Sequence, residues 1–374
     1  MSMVSQILQG FPDWKNPINK ITAIAWHEKL SDEYCVLVLD EDGRVQDSVN
    51  DNIEIISFHT EAALLETFIE RYRQIQPHIL TGWNIEGFDI PYLLNRISRV
   101  LGDNAERALS PVGIINYREG LDKWFIEGVA ILDYMLLYKK FTMGERPSYR
   151  LDAIGRHEVD LGKIEYEGNL DDLFAEDINK YIEYNLNDVE IVKRLDDKLK
   201  FIDLCRAICH KGHIPYQQIH ITSAYLEGAI LTHTRNLGVV TKNKPYNVVK
   251  DGKISGAFVK VGIFTDFNSD DFRARKERNW TLNVAGKYRE LTTDQVFEFL
   301  EAEQCSVGSN GAMFKTDKSG LIPSILDRWF SERVEFKNLR KKYEKEGDDA
   351  KVAYFDQMQY TTKILLNSMY GVLG

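Results

Sequence analysis

The first hundred residues alternate between stretches with strand spacing and stretches with helix spacing. The strand-like stretches are 19–26, 34–39, 53–58 and 78–82, and the helix-like ones are 60–76 and 90–101. Thr60 is a suitable N-cap for the first helix, and Pro77 follows its end. This alternation predicts an α/β fold in which helices cover the faces of a sheet.

Composition places the chain among ordinary soluble proteins. It has 374 residues, 44% hydrophobic and 28% charged, so two or three domains are expected. No apolar run has the length of a membrane span, and the first residues do not form a secretory signal. A net charge of −10 argues against a basic coat for nucleic acid but leaves room for a locally basic groove. We therefore expect a cytoplasmic protein that does not contact membranes.

The cysteines are too few and too scattered for a disulfide framework, which favours a reducing compartment. They are Cys35, Cys205, Cys209 and Cys305. Cys205 and Cys209, with His210 and His213, could form a zinc site on a helix. The alternative, buried thiols beside surface histidines, is favoured because both cysteines lie in an apolar run.

The remainder of the chain divides into further segments. Residues 113–131 have a hairpin-like pattern, 177–207 read as one long helix, and 256–268 read as a strand. Two helices are predicted at 321–345 and 350–370, with Asp349 as the N-cap of the second. The region 331–345 holds six Lys or Arg against three Glu, and its plain interpretation is a solvated helix face.

The last predicted helix carries an unusual stripe of side chains. Lys363, Asn367, Tyr370 and Gly371 stand at i, i+4, i+7 and i+8, on one helical face. A cation for phosphate, a ring for a base or sugar, and a bare backbone suit a nucleoside triphosphate. The alternative is an amphipathic core helix with a lysine at its rim.

Three motifs resemble those of family B DNA polymerases. The segment Lys363-x-x-x-Asn-Ser-x-Tyr-Gly371 is similar to their fingers motif. Residues 79–92 and 184–188 resemble the second and third motifs of their 3′→5′ exonuclease, in the same order along the chain. The resemblance is to polymerases of large tailed phages. It covers 10–260 and 305–374 well and 261–304 poorly.

The resemblance implies a nuclease centre in a ribonuclease H-like domain. Asp89, Asp188 and Tyr184 would be catalytic, and the two aspartates would bind metal. Tyr184, one helical turn before Asp188, would orient the attacking water or touch the scissile phosphate. Two Mg²⁺ ions, which Mn²⁺ can replace, would be the cofactors. Asn84 and Phe88 would line the channel for single-stranded DNA. Taken singly, these residues could also be a surface turn and an exposed helical pair.

The first exonuclease motif of the family, an Asp-x-Glu, does not precede the matching Gly10-Phe-Pro12. Two of the usual four metal-binding carboxylates are therefore expected to be missing, so this chain alone could be inactive.

The resemblance also implies a polymerase centre. Arg333 and Lys337 would face the triphosphate together with the Lys363 stripe, and Asp266 would be a catalytic, metal-binding residue of the palm. The Leu-Tyr-Pro-Ser half of the palm motif is absent after Asp266. The second palm motif and the thumb would lie beyond Gly374.

The sequence thus predicts four regions of one incomplete polymerase. They are an exonuclease domain at 1–207, a connecting segment at 208–253, a partial palm at 254–324 and a fingers helical hairpin at 325–374. The expected function is DNA-directed DNA synthesis with 3′→5′ proofreading in DNA replication. The alternative is a non-catalytic DNA-binding fragment or one piece of a split polymerase.

The partners implied are primer-template and single-stranded DNA, deoxynucleoside triphosphates, and a sliding clamp or a complementing C-terminal polymerase chain. The expected location is the cytoplasm, that of a host cell if the protein is viral.

Overall fold

A computed structural model describes residues 1–5, 13–142, 144–240, 280–284, 287–307, 313–317 and 320–373. The chain forms two compact units. One consists of Met1–His210 and Ile214–Ile221, and the other of Lys211–His213 and Thr222–Gly374. The predicted strand at 256–268, the Gly10-Phe-Pro12 match and Asp266 lie outside the described residues.

The described part of the first unit contains a mixed five-stranded sheet and two separate pairs of strands. Its strands are β1 (Ser2–Ser5), β2 (Ile21–Glu28), β3 (Glu33–Leu39), β4 (Ser48–Asn50), β5 (Ile53–Phe58), β6 (Ile79–Gly82), β7 (Ile115–Arg118), β8 (Lys123–Ile126) and β9 (Ala130–Asp133). The five-stranded sheet has the order β1-β2-β3-β5-β4, in which only β3 and β5 run parallel. β6 pairs in parallel with β9, and β7 and β8 form an antiparallel hairpin. The hairpin predicted at 113–131 is confirmed.

Helices cover both faces of the five-stranded sheet. The helices of the first unit are α1 (Glu61–Ile75), α2 (Ile90–Leu101), α3 (Tyr134–Phe141), α4 (Leu151–Val159), α5 (Leu170–Glu176), α6 (Ile178–Leu199) and α7 (Phe201–Gly212). Leu37 of β3 packs with α1 and α2, whereas its neighbours Val36 and Val38 pack with α6. This division follows from the two-residue period of a strand. The predicted α/β fold is confirmed, as is Thr60 as the N-cap of α1, where its side chain accepts from Ala63 N.

A buried ion pair joins α1 and α2. Arg96 donates from Nε to Glu61 Oε1 at 2.8 Å and from Nη2 to Glu61 Oε2 at 2.6 Å. Glu61 also accepts from Ile21 N at 2.8 Å, and Arg96 Nη1 donates to the carbonyl of Pro17 at 2.8 Å. The pair therefore fixes the start of α1 and the middle of α2 against the start of β2.

The prediction of a single helix at 177–207 is wrong. This stretch forms two helices, α6 and α7, separated at Lys200, whose φ of 55° is left-handed. Asp196 Oδ1 accepts from Ile202 N at 3.1 Å and so satisfies a donor in the first turn of α7. No glycine or proline marks this break, which is why helical periodicity ran through it.

The cysteines of α7 are buried thiols, as the favoured alternative predicted. Cys205 and Cys209 are buried, while His210 and His213 are exposed. Burial raises the pKa of Cys205, and it raises the pKa of Cys209 to about 11. Among the residues that the structure describes, no helix is long and apolar enough to cross a membrane.

The second unit is mainly helical. Its elements are α8 (Thr222–Asn236), β10 (Trp280–Val284), β11 (Lys287–Leu291), α9 (Thr293–Ala302), β12 (Cys305–Val307), β13 (Met313–Lys315), α10 (Leu321–Glu346) and α11 (Asp349–Leu373). α10 and α11 form the predicted helical hairpin, turning at Gly347 with a φ of 72°. The predicted N-cap Asp349 is wrong, because Asp348 accepts from Lys351 N at 3.1 Å while Asp349 is already helical.

Replacing Glu61 by Gln should destabilise the first unit by about 3 kcal/mol, because Arg96 would stay buried without a counter-charge. The midpoint of urea unfolding, followed by circular dichroism, measures this loss. The control is Asp197→Asn, which breaks the partly exposed Lys193–Asp197 pair on α6 and should cost less than about 0.5 kcal/mol. Equal losses in the two variants would contradict the role given to the buried pair.

Candidate functional site

The loop after β6 carries three of the predicted nuclease residues. Asn84 has a left-handed φ of 60°, which asparagine tolerates better than most residues. A π-helical turn, Ile85–Asp89, follows and leads directly into α2. We call residues 84–89 the channel loop. It leaves Asn84 exposed and Phe88 half-buried, with the Phe88 ring stacked on Tyr92 at 5.5 Å.

Gly87 allows the side chain of Asn84 to lie back across the loop. A Cβ added to Gly87 would stand 2.8 Å from Asn84 Oδ1. Any larger residue would therefore push the Asn84 amide away from its position.

Asp89, at the end of the channel loop, is half-buried. The amino group of Met1 donates to Thr81 O at 2.9 Å and is attracted electrostatically to Asp89. Burial lowers the pKa of this amino group to about 6, and Asp89 opposes the change. An amino group that is largely neutral at pH 7 thus lies near the first of the two predicted metal-binding carboxylates.

Tyr184 and Asp188 meet on α6 through Lys163. Lys163 Nζ lies 2.8 Å from Tyr184 Oη and 2.6 Å from Asp188 Oδ2. Asp188 is 8% exposed. Its other oxygen, Oδ1, is buried and has no hydrogen-bond partner within the described part of the chain.

The charges in this cluster depend on one another. Burial raises the pKa of Asp188, and the Lys163 ammonium opposes that rise. Burial lowers the pKa of Lys163, but Asp188 and Tyr184 outweigh it, so the pKa of Lys163 lies above the usual value. Burial also raises the pKa of Tyr184. The three pKa values are therefore coupled: the Lys163 ammonium offsets part of the burial cost of a charged Asp188, and Asp188 in turn keeps Lys163 protonated.

Lys163 was not predicted. It lies between α4 and α5 in an irregular segment, where no periodic pattern indicates which way a side chain points. Asp152 accepts from Lys163 N at 2.7 Å, and Asn187 Nδ2 donates to Gly162 O at 3.0 Å. These bonds hold the segment against α6. The only signal in the sequence is a lysine beside a glycine, which is too common to be specific.

The residues described so far do not complete a two-metal centre. Across the described ranges, no three His, Cys, Asp or Glu side chains converge closely enough to hold an ion. Asp188 is paired with Lys163. Asp89 and Asp188 have the oxygen donors that Mg²⁺ prefers, but they are only two carboxylates.

The predicted nucleotide-binding stripe lies on α11. Lys363 is half-buried, and Asn367 and Gly371 are exposed, with open space around Gly371. The side chain of Tyr370 lies outside the described residues. Between Asn367 and Tyr370, Ser368 Oγ lies 2.9 Å from the hydroxyl of Tyr225 on α8.

Contacts across the hairpin determine which residues of α10 and α11 lie opposite each other. Arg340 Nη1 donates to Asp356 Oδ1 at 2.9 Å, and Tyr343 stacks on Phe355 with ring centroids 5.5 Å apart. Counting along the antiparallel helices from the Arg340–Asp356 pair brings Arg333 level with Lys363. Arg333 is half-buried, and its Nε is buried without a hydrogen-bond partner in the described residues. Lys337, one turn further along α10, is exposed.

Two family profiles match the chain in the order that the motifs predicted. The profile described as DNA polymerase family B, exonuclease domain, matches residues 3–154, and the one described as DNA polymerase family B matches residues 280–374. The chain belongs to DNA polymerase family B. The first profile ends before Tyr184 and Asp188, so these two residues rest on the motif and on the geometry.

Curated relatives extend the similarity over most of the chain. The DNA-directed DNA polymerase of Enterobacteria phage T4 is 26% identical over 87% of this chain and 40% of its own length. That of Escherichia phage RB69 is 28% identical over 92% of this chain and 42% of its own length. The DNA polymerase delta catalytic subunit of Drosophila melanogaster is 24% identical over 86% and 32%. The chain thus spans about two fifths of the length of these phage relatives.

Replacing Lys163 by Met should raise the pKa of Asp188 further, because burial would act without the ammonium that opposes it. A carboxyl whose pKa is higher in the folded chain than in the unfolded chain makes folding more favourable as the pH falls. Relative to the unsubstituted chain, the variant should therefore be least stable at neutral pH and recover in mild acid. Carboxyl ¹³C shifts in EDTA measure the pKa. Lys193→Met is the control, and an unchanged Asp188 pKa in Lys163→Met would contradict the prediction.

Proposed function

We propose that the chain is part of a DNA-directed DNA polymerase with 3′→5′ proofreading that acts in DNA replication. The observation that carries the proposal is the cluster of Lys163, Tyr184 and Asp188, in a chain of a polymerase family that includes an exonuclease domain. A buried carboxylate oxygen without a partner is costly. Such an oxygen at Asp188 supports a site that receives a further group.

In the exonuclease, Asn84 and Phe88 bind the unpaired 3′ end, with a base stacked on the Phe88 ring. Asp89 and Asp188 are catalytic and would supply two oxygen ligands to Mg²⁺, which Mn²⁺ can replace. An ion at Asp188 would compete with Lys163 for that carboxylate. The Tyr184 phenol and the Lys163 ammonium would lie beside the scissile phosphate, where a hydroxyl can orient it and a cation can offset its charge.

In the polymerase, the hairpin of α10 and α11 binds the incoming deoxynucleoside triphosphate. Its residues are Arg333, Lys337, Lys363, Asn367, Tyr370 and Gly371. The buried, unbonded Nε of Arg333 and its level with Lys363 support an anion there. Asp266 is a metal-binding carboxylate of the palm. The partners are primer-template DNA, and a sliding clamp or a complementing C-terminal polymerase chain, in the cytoplasm.

The nuclease proposal predicts stepwise shortening of a 5′-labelled single-stranded oligonucleotide from its 3′ end with Mg²⁺ or Mn²⁺. The double variant Asp89→Ala, Asp188→Ala should lose this activity, because the metal-binding carboxylates are gone. Gel analysis of products measures it. Binding of the strand without shortening would favour the second candidate, a non-catalytic DNA-binding fragment. That candidate is supported by the Lys163–Asp188 pair, which occupies one of only two carboxylates.

The hairpin proposal predicts that Lys363→Ala weakens binding of a fluorescent deoxynucleoside triphosphate by about tenfold, the effect of losing one charge-assisted hydrogen bond. Lys342→Ala is the matched control. It removes an exposed lysine of the same hairpin, 3.9 Å from Glu346, and should leave the affinity unchanged. Equal affinities for the two variants would count against a triphosphate at Lys363.

A further inference from the structure

Asp133 lies at the point where the two parallel strands next to the channel loop end. It is the last residue of β9, its register partner on β6 is Gly82, and the channel loop begins two residues after Gly82. Asp133 is 1% exposed. Burial of a charged carboxylate at this depth requires strong hydrogen bonds to it.

Four backbone N–H groups supply those bonds, and they come from two different elements. Met135 N and Leu136 N donate to Oδ1 at 3.0 and 3.3 Å, which makes Asp133 the N-cap of α3. Asn84 N donates to Oδ1 at 3.2 Å, and Glu86 N donates to Oδ2 at 3.2 Å. A capping residue needs only the first two bonds. The other two belong to the channel loop.

Ile85 anchors the loop in the core of the first unit, where its side chain is 0% exposed. The loop's own turn is closed by bonds from Gly87 N and Phe88 N to Asn84 O, both 3.1 Å. On its outer side Glu86 pairs with Lys123 of β8. The left-handed Asn84 must be held by tertiary contacts, because this conformation is uncommon for residues other than glycine.

We propose that Asp133 is the positioning residue of the nuclease site: its carboxylate sets the conformation of the channel loop and thereby the places of Asn84, Phe88 and Asp89. In this role Asp133 touches neither the single-stranded DNA nor the reacting phosphate. The part concerning DNA rests on the proposed nuclease function, whereas the part concerning loop conformation does not.

Oδ1 of Asp133 accepts from Met135, Leu136 and Asn84, whereas Oδ2 accepts from Glu86. The variant Asp133→Asn therefore separates the bond to Glu86 from the other three. The asparagine Oδ1 can keep the helix cap and the Asn84 bond. Its NH₂ group then faces Glu86 N–H, so that two donors meet and one bond is lost. Amide hydrogen exchange should become about tenfold or more faster at Glu86 and stay unchanged at Met135 and Leu136.

A second variant, Asp133→Ser, keeps a capping hydroxyl but is too short to reach the loop. Exchange should then be faster at both Asn84 and Glu86. Anisotropy of a fluorescent single-stranded oligonucleotide in EDTA should show affinity falling in the order unsubstituted, Asn, Ser, by about three- to tenfold at each step.

The matched control is Asp40→Asn. Asp40 is equally buried and also holds a turn, accepting from Val45 N at 2.6 Å and from Arg44 Nε at 3.3 Å. This variant should lose stability, but amide hydrogen exchange at residues 84–86 and the affinity for the single-stranded oligonucleotide should stay unchanged.

Unchanged exchange at Glu86 in Asp133→Asn would overturn the proposal. Faster exchange with full affinity for the strand would overturn its positioning role. If the unsubstituted chain binds no single strand, the proposed nuclease function fails, while the exchange measurement still decides whether Asp133 sets the loop.

Discussion

The buried ion pair of Glu61 and Arg96 is the constraint on which the first unit depends. Removing two charges from water costs several kcal/mol per ion, and only complete hydrogen bonding offsets that cost. Here each oxygen of Glu61 accepts from Arg96, and backbone groups satisfy the rest. The start of α1, the start of β2 and the middle of α2 are therefore held in one arrangement. Because α2 follows Asp89 directly, the same pair limits where that carboxylate can lie.

The cluster at Asp188 is buried by the same fold but is less fully satisfied. One oxygen of Asp188 meets Lys163, and the other has no partner in the described chain. Lys163 Nζ also donates a hydrogen bond to the hydroxyl of Tyr184. A carboxylate held by one lysine side chain can exchange that cation for another, whereas Glu61 cannot without breaking the fold. This difference separates a group that can take part in chemistry from one that supports structure.

Sequence periodicity predicted most elements of the first unit because the strands and helices there obey their repeats closely. The predicted helix 90–101 has the bounds of α2. Periodicity failed at Lys200, where a lysine takes a conformation that glycine usually marks. It could not find Asp133, which lies at the end of an apolar run, or Lys163, which lies in an irregular segment. Both acquire their roles through contacts distant in sequence. Asp89, Tyr184 and Asp188 came from resemblance to family motifs, and no regular pattern of their own identifies them.

The hairpin of α10 and α11 presents a different electrostatic situation. The Arg340–Asp356 pair and the stacked Tyr343 and Phe355 fix the register of the two helices. That register brings Arg333 level with Lys363, so two cations share one level of the hairpin. The buried Nε of Arg333 has lost water without gaining a partner in the described chain, which is costly. An anion with several oxygens would remove that cost by accepting from Nε, whereas a solvated helix face would avoid it by turning Arg333 outward. The buried Nε therefore supports the proposed phosphate-binding face over the plain interpretation of this basic segment.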